Sequence, residues 1–370
     1  MWIAAKVRTI PEVNISKRRC PYCGRVVMHR HGSRLRKLRD WVHHGAVVER
    51  LRCPACGRSQ TVYPEGVEMR VQRSQRARQL GILLYAFGLS YRGVSNALGY
   101  LGVAVSPATL LRDVVRSGQH AQIAQKRELL RGKVKVRRVG VDGAGVPMAG
   151  KPGDKGVVVV VDQDSGTGLL VEALDEQNQQ EITSLLEQVF RLFQPEEVVT
   201  DEAGVYTEAI EQAAARSTGH LPKHLLCATH FRKNKARRLR ALCEEAKRRG
   251  LGLLVMELRA MLALLRSPPA TMGAYAERLY RSFLWAKPPR KNRKTSWAYQ
   301  VKRLSLEIWE KSKKVTGATN NRTEQLIGRA FKVRVRSMRG FKKEENRMCF
   351  LALRLLLDQM QLQNGDICLA

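Results

Sequence analysis

Val139-Gly140-Val141-Asp142 and Val198-Val199-Thr200-Asp201 are two apolar runs that each stop on an aspartate. Short valine-rich runs bounded by glycine and acidic residues read as buried strands. Working outward, Lys135 to Asp142, Gly156 to Asp162 and Thr167 to Leu174 read as three strands joined by short Gly/Asp turns, an antiparallel meander. Asn178 to Phe193 then carries Ile182, Leu185, Leu186, Val189, Phe190 and Phe193 at helical spacing. A strand from Glu197 to Thr200, a helix from Val205 to Ala215 and a strand from His224 to Cys227 follow, and Thr229-His230 opens a very basic helix. The element order is βββαβαβα, with one aspartate at the end of the first strand and one at the end of the fourth. Asp162 and Asp164, in the turn after the second strand, read as solvated loop residues, and Glu202 points away from the direction of Asp201.

The charge balance says what such a core works on. Sixty-six Lys and Arg stand against thirty-three Asp and Glu, a formal net charge of +33. An excess of that size repels itself in a compact fold and is useful only against an anionic partner. Nucleic acid is the leading partner, with a membrane surface or ribosomal RNA as the alternatives. No run reaches the ~20 apolar residues of a membrane span, and the N-terminal apolar region is too short for a secretory signal. Cytoplasmic, nucleoid-associated localisation is the expectation.

Eight cysteines divide into two close pairs, Cys20/Cys23 and Cys53/Cys56, and four scattered positions, Cys227, Cys243, Cys349 and Cys368. That is a metal-binding pattern in a reducing compartment, not a disulfide framework. Arg19-Cys20-Pro21-Tyr22-Cys23-Gly24-Arg25 and Arg52-Cys53-Pro54-Ala55-Cys56-Gly57-Arg58 are near copies of one knuckle. Two thiolates from one turn grip one side of a tetrahedral ion, so the two knuckles predict a closed, structural Zn²⁺ site. The 29 intervening residues between Cys23 and Cys53 are enough for an extended β-hairpin.

From residue 70 the period becomes helical, with Ser74 to Phe87, then Ser90 to Gly99, then a helix opened by Ser106-Pro107. Serine at the N-cap and proline at the first helical position are start signals. Helix, turn and a helix with basic residues near its start outline a helix-turn-helix. Arg73, Arg76, Arg92, Thr109, Arg112 and Arg116 are the DNA-contact candidates here, and Lys233 and Arg237 on the basic helix extend them.

A third acid lies far downstream. Glu324 follows Thr319-Asn320-Asn321, a helix-cap signal, and heads a cationic stretch including Arg329, Lys332, Arg334 and Arg336, suited to a DNA backbone. Its rivals Glu344 and Glu345 lack that cap. The 123 positions from Asp201 to Glu324 exceed what a bare core needs, so residues 240–315 read as a helical insertion. Cys243 to Arg266 reads as one helix, Ala274 to Trp285 as another, and Trp297 to Lys313 as a third beyond a basic loop; Trp285, Trp297 and Trp309 read as core. A closing apolar helix spans Asn346 to Met360.

The series Val-Asp-Gly, Val-Thr-Asp-Glu, Cys-Ala-Thr-His-Phe-Arg-Lys-Asn and Thr-Asn-Asn-Arg-Thr-Glu resembles that of the DDE transposases of bacterial insertion sequences. Cys227-x-x-His230 is similar to a motif of the Mutator-like group, and the basic knuckle-bearing N-terminus to a neighbouring family with an N-terminal zinc finger. The resemblance covers the organisation of most of residues 18–350. It implies an α/β, ribonuclease H-like core at residues 133–239 and 316–370, interrupted by the insertion. Before the core it implies a zinc-ribbon domain (1–68) and an all-α helix-turn-helix domain (69–125). It further implies that Asp142, Asp201 and Glu324 bind two Mg²⁺ or Mn²⁺ ions and cut and join DNA strands, with Cys227, His230 and Asn321 beside them. Double-stranded DNA, as element ends and target, is the implied partner, and a homodimer or higher oligomer the implied assembly. A DNA-binding regulator on an inactive core, and a metal-dependent nuclease or resolvase of the same fold, are the competing readings.

Overall fold

In the computed structural model, residues 19–25, 28–130, 136–146, 148–149, 156–289, 296–335 and 340–362 are described. The DNA-contact candidate Arg336 and most of the basic loop before Trp297 lie outside them.

The sheet that organises the molecule is built from valine. Strand β5 (Val157–Asp162) is a run of five valines, every one fully buried. A strand buried on both faces needs an apolar side chain at each position rather than an alternation. Val157, Val159 and Val161 face one core and Val158 and Val160 the other, the period of two expected of a strand. Around it lie β4 (Arg138–Ala144), β6 (Gly168–Glu172), β7 (Glu197–Thr200) and β8 (Lys223–Leu226), in the order β6-β5-β4-β7-β8. The β4–β5 and β5–β6 pairs are antiparallel, and the β4–β7 and β7–β8 pairs are parallel. The molecule is thus mixed α/β on a five-stranded mixed sheet, with the first and fourth core strands adjacent.

Helices α4 (Gln179–Phe193) and α5 (Val205–Arg216) cover one face. Asn178 caps α4, its side chain accepting from the amides of Gln180 and Glu181. The other face is covered by the closing helix α12 (Glu344–Leu362) and by the segment that precedes the core in sequence. That segment holds α1 (Gln75–Ala86), α2 (Tyr91–Tyr100) and α3 (Pro107–Leu130). Expected to be a short third helix, α3 instead continues for 24 residues and lies against α12. The approach is close enough that a Cβ at Gly118 would sit 2.4 Å from Cβ of Cys349. The three helices therefore share one apolar core with the sheet.

At the N-terminal end, β1 (His29–Lys37), β2 (Gly45–Arg52) and β3 (Ser59–Val62) form a separate antiparallel sheet. The first two are the expected hairpin; β3 is an addition to it. Buried Asp40 ties this sheet to α1, accepting from Ser74, Arg76 and the amides of Val42 and His43.

The insertion is a helical unit with its own core, built from α6 (Ala228–Arg248), α7 (Gly252–Leu264), α8 (Pro269–Ser282) and α9 (Trp297–Ser312). Sequence periodicity runs Cys243 to Arg266 together as one helix. The chain breaks at Gly250, whose φ of +70° is open to glycine at little cost. Trp297 and Trp309 pack against this core, whereas Trp285, expected inside, is 65% exposed. The insertion leaves and re-enters beside β8: the Leu226 amide donates to Lys314 O (3.0 Å) and the Ala228 amide to Ala318 O (2.9 Å).

One buried cation fastens it there. Lys235 of α6, 2% exposed, bridges Glu202 and Glu307 at 2.6 Å each. The Glu307 carboxyl is held down to about 2 by Lys235 and Arg238, against the opposing effect of burial. Replacing Lys235 with methionine leaves half-buried Glu202 and Glu307 without their shared buried cation, with Lys311 and Arg238 still in reach of them. A loss of about 1–3 kcal/mol is expected in urea unfolding, and an unchanged midpoint would show that the bridge is not structural. Among the described residues no helix is long and apolar enough to cross a membrane.

Candidate active site

Parallel pairing sets the first two acids level. The β4–β7 register joins Val139 to Val198 and Gly140 to Val199, so two steps further along, Asp142 and Asp201 stand side by side. Asp142 lies within β4, which continues to Ala144; Asp201 is the first residue past β7, its Oδ1 accepting from the Ala203 amide at 2.8 Å. Glu202 turns the other way, into the Lys235 bridge, as a successive side chain should. Glu344 is spent on buried Arg347, and Glu345 on Gln119.

Glu324 arrives on α10 (Asn321–Leu326), which continues through a π-helical segment, Ile327–Phe331, into α11 (Lys332–Val335). A buried clasp fixes where α10 begins. The Asn320 side chain donates to Val141 O at 3.0 Å, and its Oδ1 accepts from Gln163 Nε2 (3.1 Å) and Thr323 Oγ1 (2.7 Å). Gln163 also donates to Thr323 Oγ1 (2.7 Å), and the Asn320 amide donates to Cys227 Sγ (3.3 Å). Asn320 and Thr323 are fully buried, whereas Asn321, expected beside the site, is exposed. The asparagine therefore works by tying α10 to the residue before Asp142, not by capping α10 with its side chain.

Gly140 makes the clasp possible. A Cβ there would fall 1.9 Å from Gln163 Nε2, 2.3 Å from Asn320 Oδ1 and 2.6 Å from Thr323 Oγ1. Gln163 could swing aside; the other two, buried and mutually bonded, could not. Gly140→Ala is expected to cost about 2–4 kcal/mol in chemical denaturation through overpacking and broken buried hydrogen bonds. Wild-type stability in this variant would remove the clasp from the account.

Sequence reading missed Glu176, in the loop between β6 and α4. Its Oε1 accepts from Tyr206, buried on α5, at 2.8 Å, and it takes a hydrogen bond from the Gly143 amide. A Cβ at Gly143 would lie 1.9 Å from Glu176 Oε2. The glycine after Asp142 was the available signal, since it makes room for this carboxylate. Burial raises the Glu176 carboxyl, and the charge of Asp201 adds to it.

Asp142 is consequently ringed by charge. Burial first, then Glu176, and with them Asp201 and Glu324, push it up to about 7, while His230 pulls the other way. Carboxylates crowded in a partly dry place, one carrying a raised pKa, are the donor set that a hard divalent cation takes through oxygen. Asp142, Glu176, Asp201 and Glu324 carry the oxygen donors such a cation takes, but no three of these carboxylates come within 4.8 Å of one another, so holding an ion between them takes side-chain movement. His230, in the first turn of α6, has Nε2 3.2 Å from Glu324 Oε1. The adjacent Cys227 sulfur, as hydrogen-bond partner of the cation, raises His230 to about 9 despite burial. Burial alone would raise the Cys227 thiol; its bonds to His230 and to the Asn320 amide bring it down instead.

Asp162 is not solvated: 9% exposed, it caps its own turn, accepting from the Asp164 amide (3.0 Å) and Ser165 Oγ (2.6 Å). Asp164 is exposed and meets Arg137.

The cationic candidates separate by burial. Arg92, Arg112, Arg116, Lys233, Arg237 and Lys332 are exposed. Arg112, Arg116 and Thr109 line a cleft of about 360 Å³ with Arg39 and Arg70, between α3 and the segment leading into α1. Arg73 is sunk against Asp113 at 2.5 Å, and Arg76 is engaged by Asp40 and lies over Trp41. Arg329 is paired with Asp358 at 2.6 Å. Arg334 belongs to α11.

The four knuckle cysteines converge. Their sulfurs lie within 4.8 Å of one another, with Cys20–Cys56 at 3.7 Å and Cys23–Cys53 at 3.6 Å. The knuckles repeat in detail: Gly24 donates to Cys20 O (2.9 Å) and Gly57 to Cys53 O (3.0 Å), with φ of +73° and +68°. The cluster could hold a structural metal ion such as zinc. No protein-family model matches the chain, and no curated protein matches it.

Proposed function

We propose that this protein is a DDE-type transposase, cutting and joining DNA strands on a ribonuclease H-like core. The observation that carries the reading is the placement of Asp142 and Asp201 level on adjacent parallel strands, with Glu324 brought back to them across the insertion. Strand order β6-β5-β4-β7-β8 is the arrangement such a core would have.

Asp142, Asp201 and Glu324 would hold two Mg²⁺ or Mn²⁺ ions, with Glu176 braced beside them. When bound, such ions activate the attacking water or 3′-hydroxyl and stabilise the leaving oxygen. The chain's own residues supply position. Asn320 and Gly140 fix the start of α10, and His230 hydrogen-bonds Glu324. Exposed Lys233 and Arg237 stand one turn apart on α6, spaced to take phosphates of a duplex approaching the acids. The cationic cleft at α3 and the metal-clamped N-terminal sheet would recognise the element's ends.

The test uses duplexes carrying any inverted repeats found in the DNA that flanks the gene, with Mg²⁺. Strand nicking at the repeat boundary followed by joining to a target duplex is the expected result. Binding to those duplexes with no metal-dependent cleavage would overturn the enzymatic reading and leave a DNA-binding regulator.

A further inference from the structure

We infer that Cys227, His230 and Glu324 form a separate site for a thiophilic cation such as Zn²⁺, and that filling it withdraws Glu324 from the acidic cluster. One donor atom from each residue lies within 4.8 Å of the others. His230 Nε2 and Glu324 Oε1 are already 3.2 Å apart. With metal–ligand bonds of about 2.0–2.3 Å, the ligands of a tetrahedral zinc stand about 3.3–3.8 Å apart. Closing this triangle therefore takes small side-chain movements and no change of backbone.

The backbone predisposes the three to act together. Cys227 is the N-cap of α6 and His230 lies three residues on, so both project from the same end of the helix. The Asn320 amide bonded to the Cys227 sulfur anchors the start of α10, one turn before Glu324. A sulfur, an imidazole and a carboxylate with a fourth position open is a zinc-type donor set. Mg²⁺ prefers oxygen and leaves thiolates alone, so the two classes of cation sort by chemistry. Cys227 is fully buried while the side chains of His230 and Glu324 are 29% and 42% exposed, so an ion enters from their side.

Binding itself stands on this geometry alone; its inhibitory consequence rests on the transposase reading. The probe is Co²⁺ added to the full-length, DNA-free protein, counted by thiolate-to-cobalt charge-transfer absorption. Wild type is expected to bind one equivalent more than Cys227→Ser and than His230→Gln. The histidine variant guards against misfolding from a change at the buried cysteine, and the knuckle site contributes equally to all three proteins. Equal stoichiometry in all three would overturn the proposal. In the second arm, Zn²⁺ at a concentration that fills the site is expected to suppress Mg²⁺-supported cleavage in wild type. Cleavage that continues unchanged with the site filled overturns the withdrawal of Glu324. Cobalt binding in a protein that never cleaves DNA supports the metal site and counts against the transposase reading instead.

Discussion

Asp142→Asn is expected to keep duplex binding and to lose metal-dependent strand cleavage by a factor on the order of 10³ or more, the size of effect seen when one member of a catalytic set is removed. Binding survives because the exposed arginines of α3 and lysines of α6 lie on other elements. The same variant should be more stable than wild type when metal-free. Burial and the neighbouring acids raise the Asp142 carboxyl to about 7, so the folded chain keeps a proton that the unfolded chain releases near pH ~4. Wild-type stability from this group is therefore full in acid, falls as pH rises through that interval, and stays low above it. Asparagine carries no charge to penalise. Its unfolding midpoint should exceed wild type's above pH 7 and converge with it in acid. Asp201→Ala and Glu324→Ala are expected to abolish cleavage too. Undiminished cleavage by the triple variant, measured on a labelled duplex, would end the assignment of these residues.

Loss of the metal ion that the knuckles could hold is the second large expected effect. Among the described residues, and apart from Cys20 and Cys53 themselves, the apolar clusters of this sheet hold Met28, Leu51 and Val62 at one end and Leu38, Ala46 and Val67 at the other. Six side chains at no more than about 1.5–3 kcal/mol each still fall short of the ordering cost of that sheet, and β1 is almost wholly exposed. Structural zinc contributes about 10–16 kcal/mol in small domains at neutral pH. A strong chelator, or Cys53→Ser, should therefore melt this sheet while the five-stranded sheet stays folded. Limited proteolysis reads it directly: new cuts between residues 28 and 62, with the β4–α5 region intact. A sheet that resists protease after chelation would show that the four sulfurs need no ion.

Sequence carried the local structure further than the site. Helix α4 was legible to within a residue because Asn178 caps it and six apolar residues define one face. The buried centre of the sheet was legible because a solid valine run has few alternatives to a doubly covered strand, whereas the place of β8 at the edge beyond β7 was not. The clasp was not legible, since Gln163 and Thr323 are 160 positions apart and nothing local in either signals the other. Asn320 and Asn321 look alike in sequence; only the proximity of Val141 O separates the buried one from the exposed one. Arg73 and Arg76 read as surface cations because the acids that claim them, Asp113 and Asp40, lie on other elements.

The paired exit and return of the insertion at β8 has a consequence for how such a chain can vary. Because residues 226 and 314 are already hydrogen-bonded, the sheet does not register how much polypeptide lies between them. Everything beyond the Lys235–Glu307 bridge, including α7 and α8, hangs from a two-helix stem of α6 and α9. Shortened to a hairpin or exchanged for another helical module, that distal part could be remodelled without moving an acid of the site. A chain built this way can change what its outer helices touch while its chemistry stays where it was.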